Sequence, residues 1–468
     1  MSMNANDTVQ SDKPGVSDTV KGHFDLHTDT LIIGAGACGL IAALAAREAG
    51  QTVLVVEADA VPSGSTALSA GLIPAAGTRL QAESGINDSV QCLAADIQAK
   101  AQGENSQALV QALSEGASEV IHWLIDKHGL PFSLVDDFDY PGHSARRMHG
   151  LPSRSGRELI DALRACCEIH DIDIVCHRRA MVLHHRKLAI HGVTVVDPNN
   201  STESIACKKL ILACNGFGGN RKLVERYMPQ ISEGVWFGHD GNQGEAIAWG
   251  HQLGASVKHL SAYQGHGNVA HPHGILISWA VITQGGIQVN LQGRRFWNES
   301  QGYSEAAGAV LAQENSVVIT VFDERIAAIA RQFEDFKQAE AAGAVQVCET
   351  LGEMALRFAL PLDALEKSVG SIHAKVPDLF GRRFSGQPLC PPYYGVRVTG
   401  ALFHTQGGLE VDFQGRVLHT NGEMFENLYA GGGAACGVSG KSDSGYLSGN
   451  GLLSAAVLGY RAGLARIP

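Results

Sequence analysis

The chain of 468 residues has no run of eighteen apolar residues, no CxxC or CxxCH pair, no basic tract and no internal repeat. Without a long apolar run, no transmembrane helix is expected. Ten cysteines are scattered along the chain, none at zinc or haem spacing. They read as buried or free thiols of a reducing compartment, and no metal is expected. Lys and Arg number 36 against 47 Asp and Glu, a net charge of -11. That sign repels phosphate backbones, so nucleic acid is not an expected partner. Charged residues are 18% of the chain, below the usual ~25%, which points to a large interior. Residues 1–26 are polar and lack the apolar stretch of a secretory signal. They read as a mobile tail, and the protein as cytoplasmic. At roughly 150 residues per domain the length suggests about three units. That is ample for a core without disulfide or metal staples.

What the chain has in excess is glycine, 55 residues without a collagen period. Such an excess suggests tight turns and close approach of backbone to a ligand. The apolar run Asp29–Ile33 reads as a strand, followed by a Gly turn and an Ala-rich helix from Leu40 to about Ala49. Thr52–Glu57 reads as a second buried parallel strand. Helical spacing runs over Val90–Lys127 and Glu324–Arg357, and again over Gly449–Ala465. Asp171–Val196 alternates as strands around a polar turn, in which His184 and His185 read as exposed. Between about 265 and 405 the text becomes richer in aromatics and mixed charge, and Gly-rich strand text resumes afterwards. The layout predicts an α/β fold with a Rossmann-type dinucleotide domain (27–264 and 406–468) interrupted by an inserted α+β cap (265–405).

Gly34-Ala35-Gly36-Ala37-Cys38-Gly39 follows one strand and opens a helix, and Glu57 ends the next strand. In that context each glycine has a task. Gly34 permits the turn, Gly36 admits a pyrophosphate, and Gly39 lets helix and sheet pack. Glu57 would accept from ribose hydroxyls. Downstream, Ser65, Thr66, Ser69, Ala70 and Gly71 could run along a pyrophosphate and flavin. A second strand end, Tyr429–Ala434, carries Gly432 and Gly433. A long cofactor such as FAD, rather than NAD, suits this second Gly-rich site.

Through these motifs the chain resembles flavoproteins of the fumarate reductase, succinate dehydrogenase and 3-ketosteroid dehydrogenase superfamily. The resemblance covers about 28–468. It rests on the GAGACG turn with Glu57, GSTALSAG (64–71), ILACNGFGGN (211–220), GRRFWNE (293–299), HTQGGL (404–409) and NLYAGGG (427–433). It implies one FAD under a cap, with Ala58, Ala180, Met181, Ala213, Asn215, Gly216, Leu452 and Leu453 among further cofactor contacts. The family often has Glu or Asn near Gly433, a local departure.

The resemblance also locates catalysis. Fumarate reductases have a proton-donating Arg where this chain has Tyr303, and a carboxylate-clamping Arg where it has Tyr446. The 3-ketosteroid dehydrogenases have Tyr at both places, and their 4,5-desaturating group has Tyr-x-Ser, here Tyr446 and Ser448. The implied reaction desaturates a cyclic ketone. An α-proton goes to a base and a β-hydride to flavin N5. Tyr446 is the expected base, with Tyr303 and Ser448 drawing its pKa down or holding the carbonyl. Ser448 and the N–H groups from Gly449 to Gly451, at a helix start, are expected to serve as oxyanion donors, with Gly449 and Asn450 touching substrate. His404 matches a substrate-side His of the family. Arg147 and His149, in GHSARRMH (142–149), match a substrate-side stretch of related enzymes and could meet a carboxylate. Arg294 and Arg295 are expected to pair with Glu or backbone. An external electron acceptor (oxygen, a quinone or a carrier protein) is implied. The alternative is a fumarate- or enoate-reductase-like enzyme acting on a carboxylate.

Overall fold

A computed structural model describes residues 13–18, 23–136, 139–372, 377–384 and 387–467. Two sheets organise them. The larger runs Gly15–Ser17, Arg179–Arg186, Ala189–Val196, Thr202–Leu212, Leu26–Ile33, Val53–Val56, Asp173–Val175, and Met424–Ala430 pairs parallel to the end of Thr202–Leu212. Leu31, Ile32, Val55 and Val56 are buried on both faces, as apolar parallel strands should be. Helix Ala37–Glu48 crosses from the first strand to the second and packs on the last helix, Asn450–Leu464. That helix pair is close because its contact is made of small residues. A Cβ at Gly459 would lie 2.5 Å from the Cys38 carbonyl, and one at Gly463 would lie 2.4 Å from that of Ala42. Buried Lys209 donates from Nζ to the carbonyls of Ala462, Gly463 and Ala465, each at 2.8 Å, and so closes the end of the last helix.

The second sheet runs Ile275–Leu276, Tyr263–Ala270, Tyr393–Thr405, Val317–Asp323, Ile287–Val289, with Val235–Trp236 and Val345–Cys348 also on Tyr393–Thr405. It has its own core around Phe322, Phe336, Val396 and Val398. It therefore draws strands from before residue 265, because Tyr263–Ala270 hydrogen-bonds along most of Tyr393–Thr405.

Four sequence expectations change. Part of the 1–26 tail is structured: Gly15 pairs with Val182 in the main sheet, and Phe24 is buried edge-on to His184. Residues 1–12 and 19–22 lie outside the described residues. His184 is buried, its Nε2 2.7 Å from Thr194 Oγ1, because it sits on a paired strand rather than in the turn. The stretch 324–357 is three helices interrupted by strand Val345–Cys348. The stretch 90–127 is two helices, Val90–Lys100 and Gln107–Asp126. Arg295 pairs with Glu299 at 2.5 Å and with Asp378, all buried.

Candidate active site

One cavity of about 690 Å³ runs from the strand ends of the main sheet to the underside of the second sheet. Gly34 lines it with φ +102°, where a Cβ would lie 2.6 Å from the Ala213 carbonyl. Gly36 is different: its Cβ direction opens on the cavity, with nothing nearer than Thr66 Oγ1 at 3.7 Å. Gly39 faces away, and a Cβ there would lie 1.9 Å from the Gly34 carbonyl. Ala37 and Cys38 complete this wall. Glu57 Oε2 accepts from Ala35 N–H at 2.7 Å and Oε1 from Asp59 N–H at 3.0 Å. Two N–H donors hold the carboxylate at the wall beside Ala58, with lone pairs to spare for hydroxyls.

The short helix Gly64–Ala67 carries the next polar groups. Thr66 Oγ1 accepts from Ala37 N–H at 3.2 Å. Ser65 Oγ accepts from Asn215 Nδ2 at 2.9 Å and Asn242 Nδ2 at 2.8 Å, which leaves its O–H to donate. Ser69, Ala70 and Gly71 continue the wall, as do Ala180, Ala213, Gly432 and Leu452. Gly433 explains the departure from the family pattern. A Cβ there would lie 2.1 Å from Asn215 Oδ1 and 2.9 Å from His404 Nε2, so the Asn215 amide occupies the space a larger residue would need. Three expected contacts lie off the wall. Met181 gives its carbonyl to Trp249 Nε1 at 3.2 Å, Gly216 packs on Thr405, and Leu453 is buried in the core.

The far end is aromatic and hydroxylic. Tyr303, Tyr446, Ser448, Gly449 and His404 all line it. Tyr303 and Tyr446 meet edge to face, ring centroids 6.0 Å apart. Ser448 and Tyr446 both neighbour the Tyr303 side chain, the first lowering and the second raising its pKa. A Cβ at Gly451 would lie 4.0 Å from the Tyr446 hydroxyl, and the backbone at Gly449 and Gly451 together with Tyr303 draws its pKa down. Gly449, at φ +86°, turns the chain into the last helix. These neighbours favour the phenolate, yet burial outweighs them: the Tyr446 pKa is pushed up to about 12. The expectation that its neighbours bring it below the ordinary value is thus overturned. Burial pushes Tyr303 well above its ordinary value too, and Tyr446 adds to the shift.

Three expected substrate contacts sit elsewhere. Arg147 is 1% exposed, and its five N–H groups go to Asp88 (2.8 and 2.9 Å), Asp96 (2.5 Å), Ser144 Oγ (3.2 Å) and His143 Nδ1 (3.4 Å), so none is left for a substrate carboxylate. His149 is buried between Thr78 Oγ1 and the Arg147 carbonyl, each at 2.9 Å. Asn450 is not on the cavity wall: its N–H donates to the Leu447 carbonyl at 3.0 Å and its Nδ2 lies 3.2 Å from Ser439 Oγ.

Sequence reasoning missed the opposite wall. His266 stacks between Tyr303 (5.0 Å) and Phe403 (5.1 Å), and Phe403 stacks on Phe237 (4.6 Å). Trp279 stands edge-on to His266. Burial lowers His266 to about 3 and His404 to about 4, so both are neutral at pH 7. His266 Nδ1 accepts from Asn268 N–H at 3.2 Å, which leaves the ring proton on Nε2. The aromatic enrichment beyond residue 265 was the only signal, and it named no position. The cations that line the cavity are at its other parts. Arg178 and Arg179 follow from Glu57, whose carbonyl takes Arg178 N–H at 2.8 Å, and Arg154 and Arg157 flank Gly156, which bonds Ser69.

A cavity with a glycine turn and an acidic strand end at one side, and a cluster of aromatic and hydroxyl side chains at the other, defines a dinucleotide-dependent oxidoreductase. The chain belongs to the FAD_binding_2 family, the FAD binding domain, whose model matches residues 29–452. Its cofactor is FAD, and the residues present fit that group: the space at Gly36 is open and the Gly433 cradle admits no side chain. A probable fumarate reductase of Shewanella frigidimarina is 28% identical over 448 residues, 93% of this chain and 74% of that protein. An NADH:fumarate oxidoreductase of Klebsiella pneumoniae is 27% identical, with 93% of this chain matching 47% of its length. The open conformation of a flavocytochrome c3 fumarate reductase superposes with TM-score 0.79 at 26% identity, covering 94% of this chain and 78% of that one. A 3-ketosteroid-Δ4-(5α)-dehydrogenase from Rhodococcus jostii shares the fold, with TM-score 0.75, 23% identity and coverage of 97% and 99%. Among the described residues no helix is long and apolar enough to cross a membrane, and no group of three or more His, Cys, Asp or Glu side chains is placed to hold a metal ion.

Proposed function

We propose that this FAD-dependent oxidoreductase desaturates the α,β carbon–carbon bond of a neutral cyclic ketone. One observation carries the reading: Tyr303 and Tyr446 meet edge to face at one cavity end, which Ser448, Gly449, His266 and His404 also line. Bound FAD supplies a two-electron acceptor that takes hydride from the β-carbon. Glu57, Thr66, Ser65 and Asn215 would hold it. Tyr446 takes the α-proton. Tyr303 stands beside it, its own pKa raised well above the ordinary value by burial and by Tyr446. The weaker acid, Tyr303, keeps its proton and stabilises the phenolate that forms. His266 offers Nε2–H to the ketone oxygen, where enolate charge develops. The stacked rings of Phe237, Phe403 and His266 exclude water and flank a flat, apolar ring system. An external acceptor, whether oxygen, a quinone or a carrier protein, completes turnover.

The named relatives favour a second reading, reduction of an unsaturated carboxylate. A carboxylate would meet Arg154 or Arg157 at the cavity wall. Anaerobic stopped-flow separates the two. The first reading expects a saturated 3-ketosteroid or cyclohexanone to bleach the flavin, and Tyr446→Phe to slow bleaching roughly 10²-fold with FAD still bound. Bleaching by succinate alone, or reoxidation of the reduced enzyme by fumarate, establishes the second. Unchanged rates in Tyr446→Phe rule out proton abstraction by Tyr446.

A further inference from the structure

Tyr303 and Tyr446 come from segments 143 residues apart, counting from 303 to 446, and both segments rest on one helix, Val90–Lys100. Asp96 and Lys100 are four residues apart, so they share a helix face. Lys100 Nζ donates to the Gln301 carbonyl at 2.9 Å and pairs with the Glu305 carboxylate. Those two residues bracket Tyr303 at the start of helix Tyr303–Leu311. Both Lys100 and Glu305 side chains are mostly buried.

The other arm reaches Tyr446. Asp96 Oδ2 accepts from Arg147 Nη1, which also lies 3.4 Å from His143 Nδ1. His143 Nε2 lies 3.0 Å from the Ser448 carbonyl. A guanidinium only donates and a carbonyl only accepts, so this histidine is the neutral tautomer with its proton on Nε2. The chain of donors therefore runs one way, from Arg147 through His143 to the backbone between Tyr446 and Gly449. Packing holds the same parts together. A Cβ at Gly142 would lie 2.8 Å from Leu447 Cδ1 and 3.8 Å from Lys100 Cδ, and one at Gly445 would lie 3.5 Å from Ala101 Cα.

We propose that helix Val90–Lys100 is a brace that sets the separation of the two tyrosine hydroxyls. Lys100 positions Tyr303, and Asp96 through Arg147 and His143 positions the Tyr446–Gly451 loop. The proposal rests on the reading that these tyrosines do the chemistry. Lys100 and His143 are positioning residues: neither lines the cavity. Their leverage is geometric. A displacement of about 1 Å at reacting atoms can cost roughly 10²-fold in rate.

The test uses the FAD-loaded full chain and two readouts. His143→Ala should raise amide hydrogen exchange of segment 444–452 about tenfold or more. It should lower the limiting rate of reduction by a saturated 3-ketosteroid roughly 10²-fold, while the apparent ketone Kd moves less than about threefold. His143→Gln keeps an N–H for the Ser448 carbonyl and should bring both readouts back to within about fivefold of wild type. Lys100→Met should act in the same way on segment 299–306, with Lys100→Arg as the rescue. Unchanged exchange at 444–452 in His143→Ala, or a Gln variant as slow as Ala, overturns the brace. If no ketone reduces the wild type, the proposed reaction falls, and the exchange arm still decides the brace.

Discussion

Arg147 shows how far a side chain's role depends on what surrounds it. In the sequence it stands in a stretch suited to gripping a carboxylate, but in the fold two aspartates already grip it. Asp88 and Arg147 have no exposed side-chain surface, so removing one leaves the other charged and unpaired. Arg147→Ala should therefore destabilise the protein by about 3–5 kcal/mol in a denaturant titration. A substrate contact would instead raise KM at unchanged stability. Tyr446 makes the second prediction at this scale. Burial pushes its pKa up to about 12, so at neutral pH the base form is scarce. Its population rises about tenfold per pH unit below that value. Flavin reduction by ketone should accordingly accelerate from pH 7 to 9, with no titration near 6.5, because His266 and His404 are neutral throughout. Stopped-flow across that range checks it. A rate that levels off at pH 7 would remove Tyr446 from the role of base.

The glycine turn and its helix divide their work by position. Gly36 has open space where a side chain would go, and Gly39 has a backbone carbonyl there. Gly36→Ala should melt like the wild type as apoprotein and bind FAD at least about tenfold more weakly, because its methyl group would enter the space kept for the pyrophosphate. Gly39→Ala should lower the melting temperature itself, since its Cβ falls inside the contact that packs helix Ala37–Glu48 on the first strand. Differential scanning and FAD titration on both variants distinguish the effects. A Gly36→Ala protein with native FAD affinity would show that this turn does not carry the cofactor's charge.

At the scale of the molecule, the second sheet with its helices forms a roof, and Phe333 anchors one edge. Phe333 packs on the cluster of Leu72, Val135 and Met148 from the FAD domain, and it lines the cavity beside Gln332 and Glu334. Roof and floor thus also meet through an apolar contact at the cavity wall. Phe333→Ala should loosen that contact, and iodide should then quench flavin fluorescence at least about twofold more effectively, because lids exclude solvent from such sites. Equal quenching in both proteins would mean that the mouth closes elsewhere. Tyr303 rides on the roof and Tyr446 on the floor, so a loosened roof should slow reduction more than it weakens FAD binding.

The sequence by itself determined the strand–turn–helix at Gly34–Gly39, the acidic strand end at Glu57 and the second Gly-rich strand end at Tyr429–Ala434. Each is a local pattern of apolar runs and turn residues, and local patterns survive folding because short-range sterics enforce them. Tertiary structure alone decided that Arg147 faces Asp88 and Asp96, that His266 lies between Tyr303 and Phe403, that Lys100 reaches the Gln301 carbonyl and that His143 meets the Ser448 carbonyl. It also decided that Gly15–Ser17, read as a tail, is a strand. These outcomes depend on residues tens to hundreds of positions apart. No periodicity reports such pairings. Burial, which sets the protonation of both histidines and both tyrosines, exists only once the two sheets close on each other.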